Sequence, residues 1–316
     1  MSEFITIGEP LVVFASEEAD KSLAEVSQFK KFLAGAELNV AVGLAKLGHS
    51  TDYISQVGQD SFGDFILTEL SNRNVGNHLV KRSRDYPTGF YLKEKVTAGD
   101  PQVEYFRKNS AAAHFVLDDL PESSFEQLKV LHVTGIMAGI SENGLAAVEQ
   151  LLTELSNRAV TIFDPNIRQA LWKTPEIMIE TLNRLAKKAQ IVLPGIAEGK
   201  LLTGLSNAPE IADFYLQQSE RTNTVVVKDG SKGAYVKTKS GQAFQVASYK
   251  VDKVVDTVGA GDGFAAGLIS GILDDLEFDK AVKRACAIGA LAVQSSGDNE
   301  AYPTRSELED FMKNNQ

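Results

Sequence analysis

The chain has 316 residues, 43% hydrophobic and 23% charged, with a net charge of −10 and one cysteine. That length suits one large α/β domain with a small appendage, or two compact domains. The acidic balance argues against nucleic acid as the main partner, since no basic excess exists to neutralise phosphates, and a lone cysteine excludes an intrachain disulfide or a Cys-based metal site.

The opening residues 1–8 lack the basic start and apolar stretch of a signal peptide, and run directly into a strand-like pattern. No apolar run approaches the length of a membrane span, so a cytoplasmic protein with no membrane partner is expected. In chain order, strands are predicted at 4–7, 51–56, 130–134, 160–164, 191–193 and 224–228. Helices are predicted at 37–47, 62–73, 143–157, 175–188, 196–203 and 208–218. Such alternation is the signature of a parallel sheet covered by helices. The near-continuous apolar character of 130–134 and 160–164 suits strands buried on both faces. Segments 233–238 and 242–246 read as a hairpin about the turn at 239–241. Cys286 lies in a further helical stretch and reads as a small buried apolar residue. Two regions break the rhythm, 11–32 and 89–106, where partly polar residues alternate without a helical period. They read as strands of a small lid sheet within one domain spanning 1–316, with lid segments at about 11–34 and 88–110.

The sequence from Asp256 to Asp262 carries the clearest chemistry, ahead of an apolar helical stretch at 268–276. Three small residues, Gly259, Ala260 and Gly261, let backbone N–H groups approach a ligand closely. If they open a helix, those donors and the helix dipole form a site for anionic oxygen. Asp262, in the same first turn, could accept a proton from a substrate hydroxyl. Phosphoryl transfer needs positioning, anion stabilisation and a base, and little else from a protein. A lone Gly-x-Gly would instead read as an ordinary acidic helix start.

The full string Asp-Thr-Val-Gly-Ala-Gly-Asp closely resembles the second signature of the ribokinase-like (PfkB) family of carbohydrate kinases. That resemblance implies Asp262 as the base and the Gly259, Ala260 and Gly261 amides as the anion hole. Gly35 to Asn39 resembles the first signature, in which small residues such as Gly35 and Ala36 let a sugar lie against backbone and Asn39 bonds its hydroxyls. Val57 to Gly63 resembles the family's Val-Gly-x-Asp-x-x-Gly turn. Lys228 to Gly233 resembles the nucleotide loop, which implies ATP contacts from Lys228, Gly230, Ser231 and Gly233, joined by Asn166, Arg168, Gly259 and Gly261. The likeness runs from about Ile5 to Thr304. It implies an α/β ribokinase-like three-layer sandwich with a mostly parallel central sheet and a small β-sheet lid.

Many sugar kinases of this family carry an Asp after the first strand that binds neutral sugar hydroxyls; here Val13 stands in that place. Losing the carboxylate removes repulsion against an acidic substrate. The segments at 8–12, 35–39, 89–91, 105–107 and 164–168 together resemble the branch acting on 2-keto-3-deoxygluconate. This implies contacts to a sugar acid from Tyr91, Tyr105, Arg107 and Arg168, with Asp298 reaching it from the far side. Arginine's planar fork suits a carboxylate. The implied reaction is transfer of the ATP γ-phosphate to the 6-hydroxyl. A kinase for a neutral sugar such as fructose, or a non-catalytic sugar-binding protein on the same fold, are the alternatives. No Gly-x-Gly-x-x-Gly follows the first strand, which disfavours a dinucleotide-dependent enzyme. Mg2+ is the expected metal, approached by Glu198 through water, while the family's Asn three residues earlier is replaced by Gly195. A monovalent cation and the galactose-derived sugar acid are left open. The four histidines are scattered, and exposed lid edges imply a homo-oligomer.

Overall fold

A computed structural model describes residues 2–99, 101–117, 120–294 and 297–315. Among these, ten strands form a large sheet. Along one path the order is Ala243–Val246, Ala234–Thr238, Thr224–Lys228, Ile191–Val192, Val160–Asp164, Val130–Thr134, Phe4–Ile7, Thr51–Gly58 and Val75–Gly76. Val80–Ser83 pairs with the far half of Thr51–Gly58. Pairing is parallel from Thr224–Lys228 onward, and antiparallel only through the hairpin at the other edge.

Alternate residues of each central strand feed two separate cores, which is what a sheet covered on both faces requires. Phe4, Val130, Ile162 and Val226 point into one core, together with Val40, Leu44, Phe264 and Leu268. Ile5, Leu131, Phe163, Val225 and Val227 point into the other, with Val148, Leu151, Leu182 and Tyr215. The helices on each face thus make this a three-layer α/β sandwich. Helix starts follow capping chemistry. Ser141 accepts from Gly144 N–H, and Thr174 from Ile177 N–H ahead of Pro175. Asn207 caps Ala208–Gln218.

Two helices, Glu142–Glu154 and Pro175–Ala186, stop short of the 157 and 188 read from sequence. Their last turns tighten: the Ser156 hydroxyl donates to Thr153 O, and Lys188 N–H to Leu185 O. The strands Val75–Gly76 and Val80–Ser83 and the helix Gly135–Ile140 were not anticipated. Each is too short to show a period.

A second sheet orders Phe29–Ala34, Leu11–Ala19, Phe90–Lys95 and Val103–Phe106. Its inner face holds Leu11, Val13, Ala34 and Tyr91. On its other face Phe106 stacks on Phe90, and Phe90 and Phe14 pack edge-on or tilted against each other and against Phe62, from the helix Ser61–Asn72. Asp60 ties the root of this sheet to the main body. Its Oδ1 accepts Phe62 N–H (3.1 Å) and Gly63 N–H (2.8 Å), capping that helix, while its Oδ2 accepts Thr88 N–H at 2.8 Å. A Cβ on Gly58 would lie 2.2 Å from Asp60 Oδ2, so the Val-Gly-x-Asp turn needs glycine there. Burial opposes ionisation of Asp60, but these amides outweigh it and hold its carboxyl below the usual range. No described helix is long and apolar enough to cross a membrane.

Removing this tether leaves two cap amides and the Thr88 amide without their acceptor. Asp60→Ala is expected to destabilise the protein by about 2 kcal/mol and Asp60→Asn by about half that, measured by urea unfolding.

Candidate active site

A cleft of 410 Å3 opens where the C-terminal ends of the central strands meet the second sheet. Ligands of open α/β sheets bind at this end of the strands. Gly35, Ala36 and Asn39 enter the cleft from the start of the helix Ala36–Lys46, and Tyr91, Tyr105 and Arg107 from the second sheet. Asn166, Arg168, Glu198, Gly259, Asp262 and Asp298 complete the expected set. An adjoining cavity of 350 Å3 is lined by Gly230, Ser231, Gly233 and Ala260 against apolar Val251, Val254, Phe264 and Val293. Lys228, Thr257 and Gly261 line both. Asn166, Arg168 and Gly259, expected among ATP contacts, lie on the first cleft alone.

The helix Ala260–Leu273 points its N-terminus at the junction. Gly259 caps it at φ 78°, and a Cβ there would sit 1.9 Å from Asp298 O, so only glycine fits. Of the three amides expected to form an anion hole, Ala260 N–H is turned back on Thr257 O (3.3 Å). Gly261 N–H has no backbone acceptor among the described residues, leaving it free to bond a ligand.

Asp262 is buried within the first turn of this helix. Asn39 Nδ2 donates to its Oδ2 at 2.9 Å, and Asn166 Nδ2 to its Oδ1 at 3.2 Å. Asn39 is itself oriented, since Asn299 Nδ2 donates to Asn39 Oδ1 (2.7 Å) and Arg73 Nη1 to Asn299 Oδ1 (2.9 Å). Asn166 holds a left-handed backbone at φ 38°, a conformation Asn tolerates better than most residues. Burial pushes the Asp262 carboxyl up to about 7, opposed by the Asn39 bond and aided by the charge on Asp164. Such a group is poised to take up a proton near neutral pH. Burial likewise pushes Asp298 up to about 6.

The two arginines differ in their commitments. Arg107 pairs with Glu9, whose other oxygen accepts the Ser110 hydroxyl. Glu9 is buried, and burial pushes its carboxyl up despite Arg107. Arg168 is exposed and bonds only its neighbour's carbonyl, Ile167 O, at 3.0 Å among the described contacts. Tyr91 and Tyr105 flank the cleft with rings 5.0 Å apart.

Glu198 closes a capping arrangement: its Oε2 accepts Gly195 N–H and its Oε1 accepts Ile167 N–H, both at 2.8 Å. Among the described residues no three His, Cys, Asp or Glu side chains cluster to cage a metal. Glu198, a carboxylate lining the cleft, nonetheless fits Mg2+, which keeps several waters and needs only one or two carboxylates from the protein.

Sequence reading missed Glu9, Glu37, Asp164 and Asn299. Glu37 lines the cleft, accepts the Thr134 hydroxyl at 2.5 Å, and is pushed up to about 6 by burial. A signal existed for Glu9, a carboxylate one glycine beyond an apolar strand; for Asn299, side by side with Asp298, none did. Cys286 is buried and burial pushes its thiol up to about 12, but it also lines the second cavity. His49 and His132 are buried in hydrogen bonds, while His78 pairs with Asp52 and His114 stacks on Tyr86.

Comparison with known proteins places these features in context. The profile described as pfkB family carbohydrate kinase matches residues 1–305. The 2-dehydro-3-deoxygluconokinase of Bacillus subtilis (strain 168) is 47% identical over 98% of this chain and 94% of its own length. Among solved structures, a PfkB protein from Polaromonas sp. JS666 superposes with a TM-score of 0.89 at 39% identity, covering 98% of this chain and 99% of the other. An E. coli protein solved in complex with ATP and Mg2+ superposes with a TM-score of 0.89 at 27% identity, covering 99% and 100%.

Because the folded-state value of Asp262 lies above the ordinary 3.8, the folded form keeps a proton that the unfolded form has released. Stability is therefore lost as pH rises through the window from 3.8 to about 7. Asp262→Asn removes that loss. In chemical denaturation the variant is expected to gain on the wild type by about 1–2 kcal/mol between pH 5 and pH 8; a pH-independent difference would contradict the burial assignment.

Proposed function

The chain belongs to the pfkB family of carbohydrate kinases, and from that premise we propose that it moves the γ-phosphoryl group of ATP to the 6-hydroxyl of 2-keto-3-deoxygluconate. The observation that carries this reading is Asp262, buried at a helix N-terminus where a polar cleft meets an apolar one. The name of the B. subtilis relative supports the choice of sugar acid.

In this reading the sugar occupies the first cleft with its 6-hydroxyl against Asp262, and the nucleotide base lies among Val251, Phe264 and Val293. Asp262 takes the hydroxyl proton as the new O–P bond forms and the bond to the leaving ADP oxygen breaks. The Gly261 amide and the helix end face the negative charge spread over the transferring group. Asn39 and Asn166 hold the carboxylate in place, so it need not reorganise during transfer. Mg2+, when bound, would supply positive charge that offsets the charge of the nucleotide phosphates. Glu198 lies in the cleft to hold its water shell. Tyr91 and Tyr105, carried on the second sheet, cover the sugar as a lid and exclude water. Arg168, with no carboxylate partner of its own, takes the substrate carboxylate. Arg107, already paired with Glu9, offers its remaining N–H groups to sugar oxygens. Val13, sunk in the inner face of the second sheet, puts no carboxylate at the position where neutral-sugar kinases of the family carry one. The end strands Phe29–Ala34 and Val103–Phe106 each present an unpaired edge through which two copies could join.

ADP release should be fast with 2-keto-3-deoxygluconate and at least tenfold slower, in kcat/KM, with fructose or ribose; a preference for a neutral sugar would refute the sugar-acid reading. Arg168→Ala should raise KM for the sugar acid by about 10- to 100-fold, the worth of a charge-assisted pair. Asp262→Asn should lower kcat by about 10^2 to 10^4.

A further inference from the structure

We infer that Lys228 is a catalytic residue, its ammonium group placed to contact the transferring phosphoryl group as well as the resting nucleotide. This rests on the kinase reading above and adds a reacting-atom contact to it. Lys228 is the one cation that lines both cavities among the described residues. Arg168 lines the first cleft alone, and Lys232, on the same loop, is exposed and bonded to Asp229. A Cβ on Gly261 would lie 4.0 Å from Lys228 Nζ. The ammonium therefore sits beside the first-turn amide that lacks a backbone acceptor, on the line between donor and acceptor pockets.

Its position is fixed by neighbours that also serve the base. Nζ donates to Asp164 Oδ2 at 2.5 Å. Asp164 Oδ1 accepts Asn166 N–H at 3.1 Å, and the Asn166 side chain donates to Asp262. Cation and base thus stand on one hydrogen-bonded chain, Lys228–Asp164–Asn166–Asp262. Burial disfavours the ammonium, but Asp164 and Glu198 outweigh it and keep Lys228 above its ordinary range. It stays charged throughout and transfers no proton.

The placement also answers a departure in the sequence. Position 195, where the family's metal-organising Asn is replaced by glycine, forms a parallel bridge with Lys228, whose N–H donates to Pro194 O at 2.9 Å. The side chain absent at 195 is thus matched, on the adjoining strand, by one bearing a positive charge. In the transfer step the sugar oxygen gives its proton to Asp262 and bonds phosphorus. The bond from phosphorus to the β-phosphate oxygen breaks, and its electron pair leaves on ADP. Lys228 donates N–H bonds to the transferring group's oxygens as that charge redistributes, an electrostatic role worth about 10^2 to 10^3 in rate where one donor has been removed elsewhere.

The test compares Lys228→Met, Lys228→Arg and the double variant Asp164→Asn/Lys228→Met with the wild-type enzyme. Lys228→Met should lower kcat by about 10^2 to 10^3, leave KM for the sugar acid within a fewfold, and leave the acid limb of the pH profile in place. Lys228→Arg should recover part of the loss. The double variant, which no longer buries an unpaired Asp164 charge, should stay as slow as Lys228→Met. Calorimetry without sugar gives a second readout: the preference for β,γ-imido-ATP over ADP should fall about tenfold in Lys228→Met, both with and without Mg2+. Recovery of kcat in the double variant, a loss explained wholly by a shifted acid limb, or an unchanged nucleotide preference would each overturn the proposal. Failure of the kinase reading itself would look different, as a wild-type protein releasing no ADP with the sugar acid.

Discussion

A carboxylate taken out of water and held ready is the constraint on which the rest of this structure depends. Asp262 reaches its buried state because three parts of the chain converge on it. Asn39, 223 residues away, and Asn166, 96 residues away, donate to its two oxygens. The helix that bears it starts at a glycine no other residue could replace, against Asp298 O. The partner amides are neutral, and the Asn39 bond lowers the proton affinity of the carboxylate by less than burial raises it. Of the cations around the cleft, Lys228 is bound by Asp164 and Arg168 offsets burial only in part, so the proposed base keeps a value near 7.

The same logic of committed and uncommitted charge shapes the sugar side. Glu9 and Glu37 are both buried below the cleft, and Arg107 answers one of them. A buried ion pair of this kind does little for stability by itself, yet breaking it by removing one partner costs several kcal/mol. Here it links the turn after the first central strand to the second sheet, so that sheet is anchored at the cleft. Asp60 provides a second anchor at the root of Thr88. Between these anchors Tyr91 and Tyr105 line the cleft proposed to hold the sugar. Val13 packs in the inner face of the second sheet, and Arg168 has no carboxylate partner among the described residues.

Much of this was legible in the sequence, for identifiable reasons. The strings at 259–261 and 35–39 stand out because their small residues leave backbone open to close approach, and apolar runs such as 130–134 stand out because both faces are covered. The helices Ile196–Thr203 and Ala208–Gln218 have the bounds expected from their caps and breakers. What stayed hidden depends on side chains meeting across the fold. The contrast between Arg107 and Arg168 comes from Glu9, which no local pattern connects to residue 107. The turning of the Ala260 amide toward Thr257, the Asn299 support of Asn39, and the apolar wall shared by Phe264 and Cys286 are likewise three-dimensional facts. Short elements such as Val75–Gly76 lie below the length at which periodicity can speak.

The central claim, that Asp262 is a desolvated carboxylate held by neutral amides, is open to direct observation in the free protein. Carbon-13 NMR of the labelled aspartate carboxyls, assigned through Asp262→Asn, would follow the protonation of this group without substrate or turnover. A midpoint near 7 is the expected result. A midpoint near the ordinary value of 3.8 would contradict it.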